Sequence, residues 1–237
     1  MNILIVHAHP EPKSFTAALK NAAVDTLTTA GHTVEVSDLY ALNFNAVASA
    51  GDFDSRQNPD YLVYALEQRN GVKDDTLSKD ILTEIDKVRS CDLLLLTFPI
   101  FWFSVPAILK GWIDRVFVSG AFYGGRRIYD HGGMTGKKAL VCATLGGRPH
   151  MVSEGGIHGD LVAMLRPLLQ GTLGYVGFDV LEPFFGYHIP YLDDAERHGI
   201  LNEWYQALAT LDSRSLLPMP SLRNYDETLA LRRIVLA

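Results

Sequence analysis

The chain has 237 residues, 48% of them hydrophobic and only 20% charged, which is ample for a folded core and excludes a disordered chain. Its formal net charge is −6 with no block of like charge, so the basic footprint of a nucleic-acid or membrane-surface binder is missing. The N-terminal MNILIVHAHP has no basic leader and too short an apolar run for a signal peptide or a span; a cytoplasmic protein with no membrane span is expected.

In chain order, apolar runs of strand length alternate with longer amphipathic segments. NILIVHA (2–8) predicts a strand and residues 15–30 a helix, followed by the strand TVEVSDL (33–39). The stretch from Asn43 to Thr76 is polar and broken by Gly51, Pro59 and Gly71, and reads as a long insertion before a helix over 78–90. DLLLLTF (92–98) is the third strand, with a helix over 105–118. KALVCAT (138–144) is the fourth, with a helix over 158–174. FDVLEPFF (178–185) is the fifth strand, and a last helix covers 193–212. Cys91 and Cys142 sit beside or in apolar runs and read as buried thiols, not as a disulfide pair; no CxxC or HExxH motif offers a metal site. This alternation is that of an α/β chain with a parallel sheet covered on both faces. It predicts a flavodoxin-like three-layer sandwich, a five-stranded parallel sheet of order 2-1-3-4-5. Residues 1–214 would form the domain and 215–237, opening on LPMP and then helix-like, an extension packed on it or on a partner subunit.

Ligands of such sheets bind outside the C-terminal ends of the strands, where the strand order reverses. The loops after strands one, three and four should meet there. In HAHPEPKSFTAAL, Ser14 and Thr16 stand at a helix start, so Ser14 is either a simple N-cap or part of an anion site made with unpaired backbone N–H groups. Neither GxGxxG nor GxxxxGK[ST] is present in this loop, which disfavours a dinucleotide Rossmann site and a P-loop. In TFPIFWFSVPAILKGW, Phe98 finishes the strand, and Val105, Ile108, Leu109, Trp112, Ile113 and Val116 recur at helical spacing toward the core. Ile100 to Phe103 remain in a short connection and either pack helix on sheet or hold a flat ligand. After the fourth strand, Gly146 and Gly147 let backbone approach a ligand with N–H groups to donate. Phosphate-ready hydroxyls, an aromatic wall and a glycine donor loop at one edge describe a flavin nucleotide site.

HAHPEPKSF, FPIFWFSVPAILKGWIDRVF, GGIHGD and GFDVLEP, in this order and over most of the chain, closely resemble the NAD(P)H quinone oxidoreductases of the DT-diaphorase type. The resemblance weakens in 43–76 and in the tail. It implies a homodimer binding FAD, with FMN the less favoured flavin, and an active site shared between subunits. By position, it implies that His9, Ser14, Phe15 and Thr16 meet the FAD phosphates and ribose, and that Pro99, Ile100, Trp102 and Phe103 form the ring wall. Thr144, Leu145, Gly146 and Gly147 would face the polar edge of the ring, and Arg197 and Leu201 the far part of FAD. His158 matches the family's catalytic histidine. The family tyrosine between histidine and flavin is Val152 here, so His158 would act directly or through water, with His150 or Ser153 as possible substitutes for the hydroxyl. On the substrate wall Tyr123 matches one gating tyrosine, Gly125 stands where the other is expected, and Tyr175 replaces a phenylalanine.

The activity expected from this resemblance is ping-pong, two-electron reduction of quinones and related acceptors by NAD(P)H. The alternatives are an FMN-binding ancillary subunit of a potassium efflux system, a flavodoxin-like electron carrier, and a flavin-free interaction module. No residue identifies a reader of the NADPH 2′-phosphate.

Overall fold

A computed structural model of the chain describes residues 1–232. Strands β1 (Asn2–His7), β2 (Thr33–Asp38), β3 (Leu93–Pro99) and β4 (Lys138–Thr144) form a parallel sheet in the order β2-β1-β3-β4. All seven residues of β3 are buried, which is why its sequence is an unbroken apolar run and not an alternating one. β2, at the sheet edge, alternates exposed and half-buried positions over Thr33 to Val36 before Ser37 is buried.

The predicted fifth strand is two short ones. β5 (Asp179–Val180) and β6 (Phe184–Gly186) each pair in parallel with β4, so the sheet has six strands. The break lies at Leu181–Pro183, where proline has no N–H for the ladder. Here the Glu182 N–H donates to Ser215 O and the Leu217 N–H to Val180 O, both at 2.8 Å.

The helices are α1 (Phe15–Thr29), α2 (Tyr64–Asp74), α3 (Lys79–Ser90), α4 (Ala107–Val116), α5 (Leu161–Met164), α6 (Arg166–Leu168) and α7 (Asp194–Ala209). On one face of the sheet Ile3, Ile5 and Leu95 pack with Leu19 and Leu27 of α1 and Trp204 of α7. On the other, Leu4, Val6, Leu94 and Leu96 pack with Ile81 and Ile85 of α3 and Leu109 and Trp112 of α4. Each large side chain fully buried in this way stabilises the fold by about 2 kcal/mol. The indole N–H groups stay paired, Trp204 to Leu19 O at 2.9 Å and Trp112 to Glu84 Oε2 at 2.8 Å.

Three other segments differ from expectation. The 158–174 helix starts at Leu161, where Asp160 caps the Ala163 N–H at 2.7 Å; Pro167 interrupts it, and Leu169–Gly174 continues as a π-helical turn. The polar 43–76 stretch contains α2 and is tied down by charge. Buried Arg115 forks onto buried Asp52, with Nη2–Oδ1 at 3.0 Å and Nε–Oδ2 at 3.1 Å, and also reaches Asp80 at 2.7 Å and Asn45 O at 2.8 Å. Gly111 lets this segment approach α4, since a Cβ there would collide with the Ala46 backbone. Beyond Leu217 the described tail is mostly coil with one 3₁₀ turn, Leu222–Asn224, fastened by Ser221 and Leu222 to Asp130 at 2.6 and 3.0 Å. The rest of the helix-like tail, 233–237, lies outside the described residues.

Cys91 and Cys142 are buried and unbonded to one another, and burial raises both thiols, Cys91 to about 11, so neither is a reactive thiolate. Among the described residues no helix is long and apolar enough to cross a membrane, and no group of three or more His, Cys, Asp or Glu side chains could hold a metal.

Candidate active site

The strand order turns back between β1 and β3, and the loops leaving the C-terminal ends of β1, β3 and β4 gather beside that point. At the first loop Ser14 Oγ accepts from the Ala17 N–H at 3.1 Å, the N-cap bond of α1. The Phe15 and Thr16 N–H groups donate to no backbone carbonyl among the described residues, as the first turn of a helix dictates. Thr16 is buried, and its hydroxyl lies 2.7 Å from that of Thr144, which joins the first loop to the end of β4. His9 Nδ1 accepts from the Glu11 N–H at 3.0 Å, and burial lowers its pKa, so the ring is neutral at pH 7 with its proton on Nε2. Beneath the loop, His7 is buried against Thr97 Oγ1 at 2.8 Å, and desolvation lowers its pKa to about 4.

The β3 loop carries strained backbone. Phe101 and Ser104 exchange backbone hydrogen bonds at 3.0 Å in both directions, closing a two-residue turn over Trp102 and Phe103. Both central residues are left-handed, with φ of 51° and 56°. Such turns favour Asn-Gly, because a Cβ costs on the order of 1 kcal/mol at each position. Trp102 is also 96% exposed. A packing role would put the ring inside; here the largest side chain stands in solvent on a backbone that disfavours it. Phe98, by contrast, is fully buried, as a core residue should be.

Ile100, Trp102 and Phe103 line one side of a groove of about 370 Å³, and Leu145, Gly146, Gly147, Met151, Val152 and His158 line the rest. The volume lies within the range of small-ligand sites. The Gly146 and Gly147 N–H groups donate to no backbone carbonyl among the described residues. His158 precedes α5 in a loop held by its own N–H to Met151 O at 2.9 Å; its exposed ring is tilted against Phe103, with centroids 5.2 Å apart. Val152 is buried, so this part of the wall is apolar. His150 is exposed and Ser153 Oγ donates to His150 O at 3.3 Å; neither lines the groove.

The other expected residues fall elsewhere. Pro99 and Thr144 end their strands next to one another in the β3–β4 register, buried behind the groove. Leu201 is half-buried in the same cluster as Phe15, where α7 packs on α1. Arg197, one turn earlier, pairs with Asp194 at 3.4 Å. Tyr123 and Tyr175 line a separate cleft of about 210 Å³ with rings 5.5 Å apart, and Gly125 is exposed in a left-handed turn. Tyr175 is raised by burial and then by its tyrosine neighbours Tyr123 and Tyr129.

Sequence reasoning missed His188, Ile189 and Tyr191. They follow β6; His188 and Ile189 fasten the glycine loop, with Ile189 N–H to Leu145 O at 3.1 Å, His188 N–H to Gly147 O at 2.9 Å, and His188 Nδ1 to Gly146 O at 3.0 Å, and Tyr191 lies against the His188 ring. An exposed tyrosine near a proline after an apolar run was the available signal.

A parallel sheet of this order, with an aromatic turn and a glycine loop lining one groove beside the switch point, defines a protein of the flavodoxin class. The family model described as "Flavodoxin-like fold" matches residues 1–208. The human ribosyldihydronicotinamide dehydrogenase [quinone] is 43% identical over 217 residues, 91% of this chain and 94% of that protein. NAD(P)H dehydrogenase [quinone] 1 of Cavia porcellus is 43% identical over 220 residues, 92% and 80% of the two chains. A crystal structure from Klebsiella pneumoniae, of a protein provisionally named a quinone reductase, superposes with a TM-score of 0.93 at 35% identity, covering 98% of this chain and 94% of that one. The chain belongs to the flavodoxin-like fold family and, within it, to the NAD(P)H quinone oxidoreductases.

Proposed function

We propose that the protein is a flavin-dependent NAD(P)H:quinone oxidoreductase working by ping-pong, two-electron transfer. The observation that carries this reading is the exposed, left-handed Trp102–Phe103 turn lining one groove with Gly146 and Gly147, whose N–H groups have no backbone acceptor among the described residues, a wall and a donor edge suited to a flat ring with one polar side. These residues fit a flavin, which when bound supplies hydride acceptance from a dihydronicotinamide and its return to a quinone.

The chain's own residues bind, orient and exclude water. Phe15 and Thr16 present α1 N–H groups, and His9 a neutral Nε2–H, to the phosphates. Thr144 and Thr16 fix the floor between first loop and β4, Ile100 continues the ring wall with buried Pro99 behind it, and Leu145 backs the donor edge. His158 lines the groove without a tyrosine beside it and would supply a proton to the polar edge of the flavin ring directly or through water. Apolar Val152 and Met151 keep that wall dry.

FAD is favoured over FMN by the family resemblance, which assigns Arg197 and Leu201 of α7 to the far part of FAD; in the structure Leu201 packs with α1 and Arg197 pairs with Asp194. Residues 1–214 act as the catalytic domain, with the chain from Ser215 as an edge extension, a division supported by the backbone bonds of Ser215 and Leu217 to β5 and its sequel. By the family resemblance the protein is a cytoplasmic homodimer in which the Tyr123 and Tyr175 cleft, with the exposed Gly125 turn, completes the partner's substrate slot. The donor is NADH, NADPH or a smaller dihydronicotinamide. Two experiments test the reading. Flavin-depleted protein should bind FAD more tightly than FMN, and double-reciprocal plots at several quinone concentrations should be parallel. Intersecting lines, or preference for FMN, would contradict it.

A further inference from the structure

The segment after β6 clasps the glycine loop along three successive carbonyls, those of Leu145, Gly146 and Gly147. The middle contact is made by a side chain. A carbonyl oxygen only accepts, so His188 Nδ1 carries the proton it donates to Gly146 O at 3.0 Å. No peptide bond here is cis, and a trans peptide sends its C=O and N–H in opposite directions. With the Gly146 carbonyl turned to His188, the Gly147 N–H of the same peptide leaves from the far side. That side is the groove, which Gly146 and Gly147 line and His188 does not.

We infer that His188 is a positioning residue for the proposed flavin reaction, its Nδ1–H polarising the Gly146–Gly147 peptide so that the Gly147 N–H becomes a stronger donor into the groove. Hydrogen bonds sharing one peptide reinforce each other by roughly 10–30% in condensed phase. The ring is held for this purpose. It stacks on Tyr191, centroids 4.8 Å apart at 35°, and Tyr191 in turn reaches within 3.8 Å of where a Gly146 Cβ would stand. The backbone of His188 is left-handed at φ 59°, a place where glycine would relieve strain but would leave the Gly146 carbonyl without this donor. A donor aimed at the polar edge of a flavin favours the reduced, more negative ring over the oxidised one, and so raises the midpoint potential. This part rests on the quinone reductase reading above.

Two substitutions separate ring from donor. His188→Phe keeps an aromatic ring against Tyr191 and removes the N–H; His188→Asn restores an N–H close to the Nδ1 position and suits a left-handed residue. The first readout is the Gly147 amide ¹⁵N shift in the full-length protein without flavin, and the second is the midpoint potential of the flavin-loaded protein. His188→Phe should move the Gly147 resonance upfield and lower the potential by about 10 mV, a roughly twofold selective loss of reduced-flavin binding. His188→Asn should return both most of the way, and His188→Ala supplies the donor-free comparison if the Phe variant does not fold. An unchanged Gly147 shift in the donor-free variant, or an Asn variant as displaced as Phe, would overturn the role of His188. A parent protein that takes up no flavin would overturn the reductase reading and the redox half of this inference, while the amide shift still decides whether His188 polarises the peptide.

Discussion

Replacing Trp102 with asparagine should stabilise the flavin-free protein while weakening its hold on flavin. The indole is 96% exposed, so its loss removes almost no buried area. Its backbone, at φ 51°, costs on the order of 1 kcal/mol for tryptophan and much less for asparagine, which visits the left-handed region readily. The expected gain is about 1 kcal/mol, or a Tm higher by about 2–4 °C for a chain of this size. A tryptophan that packed the core would behave oppositely, costing about 3–5 kcal/mol when truncated. Losing an aromatic partner for a stacked ring costs about 1 kcal/mol, which is about a fivefold weaker flavin Kd. Thermal scans of the flavin-free protein and a fluorescence titration with FAD measure the two effects. A Tm lowered by several degrees, or an unaltered FAD affinity, would refute the argument that this turn exists for a ligand.

Other consequences follow from buried charge and from the groove. His7 has a folded pKa of about 4, below the ordinary 6.5, so the unfolded chain binds the extra proton between those values; stability present above pH 6.5 is lost as pH falls toward 4, by roughly 3 kcal/mol in all. Urea denaturation at pH 7 and pH 5 should therefore show a smaller pH effect in His7→Asn than in the parent, and equal effects would remove His7 as the cause. Arg115→Met leaves Asp52 charged and buried and should cost about 3–5 kcal/mol, with part recovered by adding Asp52→Asn; a cost under about 1 kcal/mol would mean that the 43–76 segment is anchored otherwise. His158→Gln should lower kcat about a hundredfold or more at saturating quinone with flavin still bound, as loss of a proton-transfer group does. Turnover at the parental rate would end its assigned role.

The strands were legible because a parallel sheet covered on both faces leaves unbroken apolar runs, as in LLLLTF, and α7 because its Asp193–Glu196 capping box stands in the sequence as DDAE. The apolar content of residues 178–185 is continuous and predicts one strand; the ladder nevertheless breaks before Phe184, at Pro183, whose missing N–H outweighs the pattern. α2 was hidden among glycine, proline and polar residues, since its segment is held by the Arg115–Asp52 fork, a contact 63 residues apart in sequence. At the site, residue types announced an aromatic wall and a donor loop, and the structure gathers Ile100, Trp102, Phe103, Gly146, Gly147 and His158 around one groove. What residue types could not announce was conformation: the left-handed turn at Trp102 and the reach of His188 to Gly146 are properties of backbone angles and tertiary approach.

The most direct test of the account is an anaerobic titration of the purified protein, its flavin first extracted and identified, with NADPH and then menadione, followed by visible absorbance. The account predicts FAD, bleached in one two-electron step by the nicotinamide and restored at once by one equivalent of quinone. FMN, or a flavin that holds one electron and returns it to menadione slowly, would contradict the reductase reading and favour a carrier or an ancillary subunit.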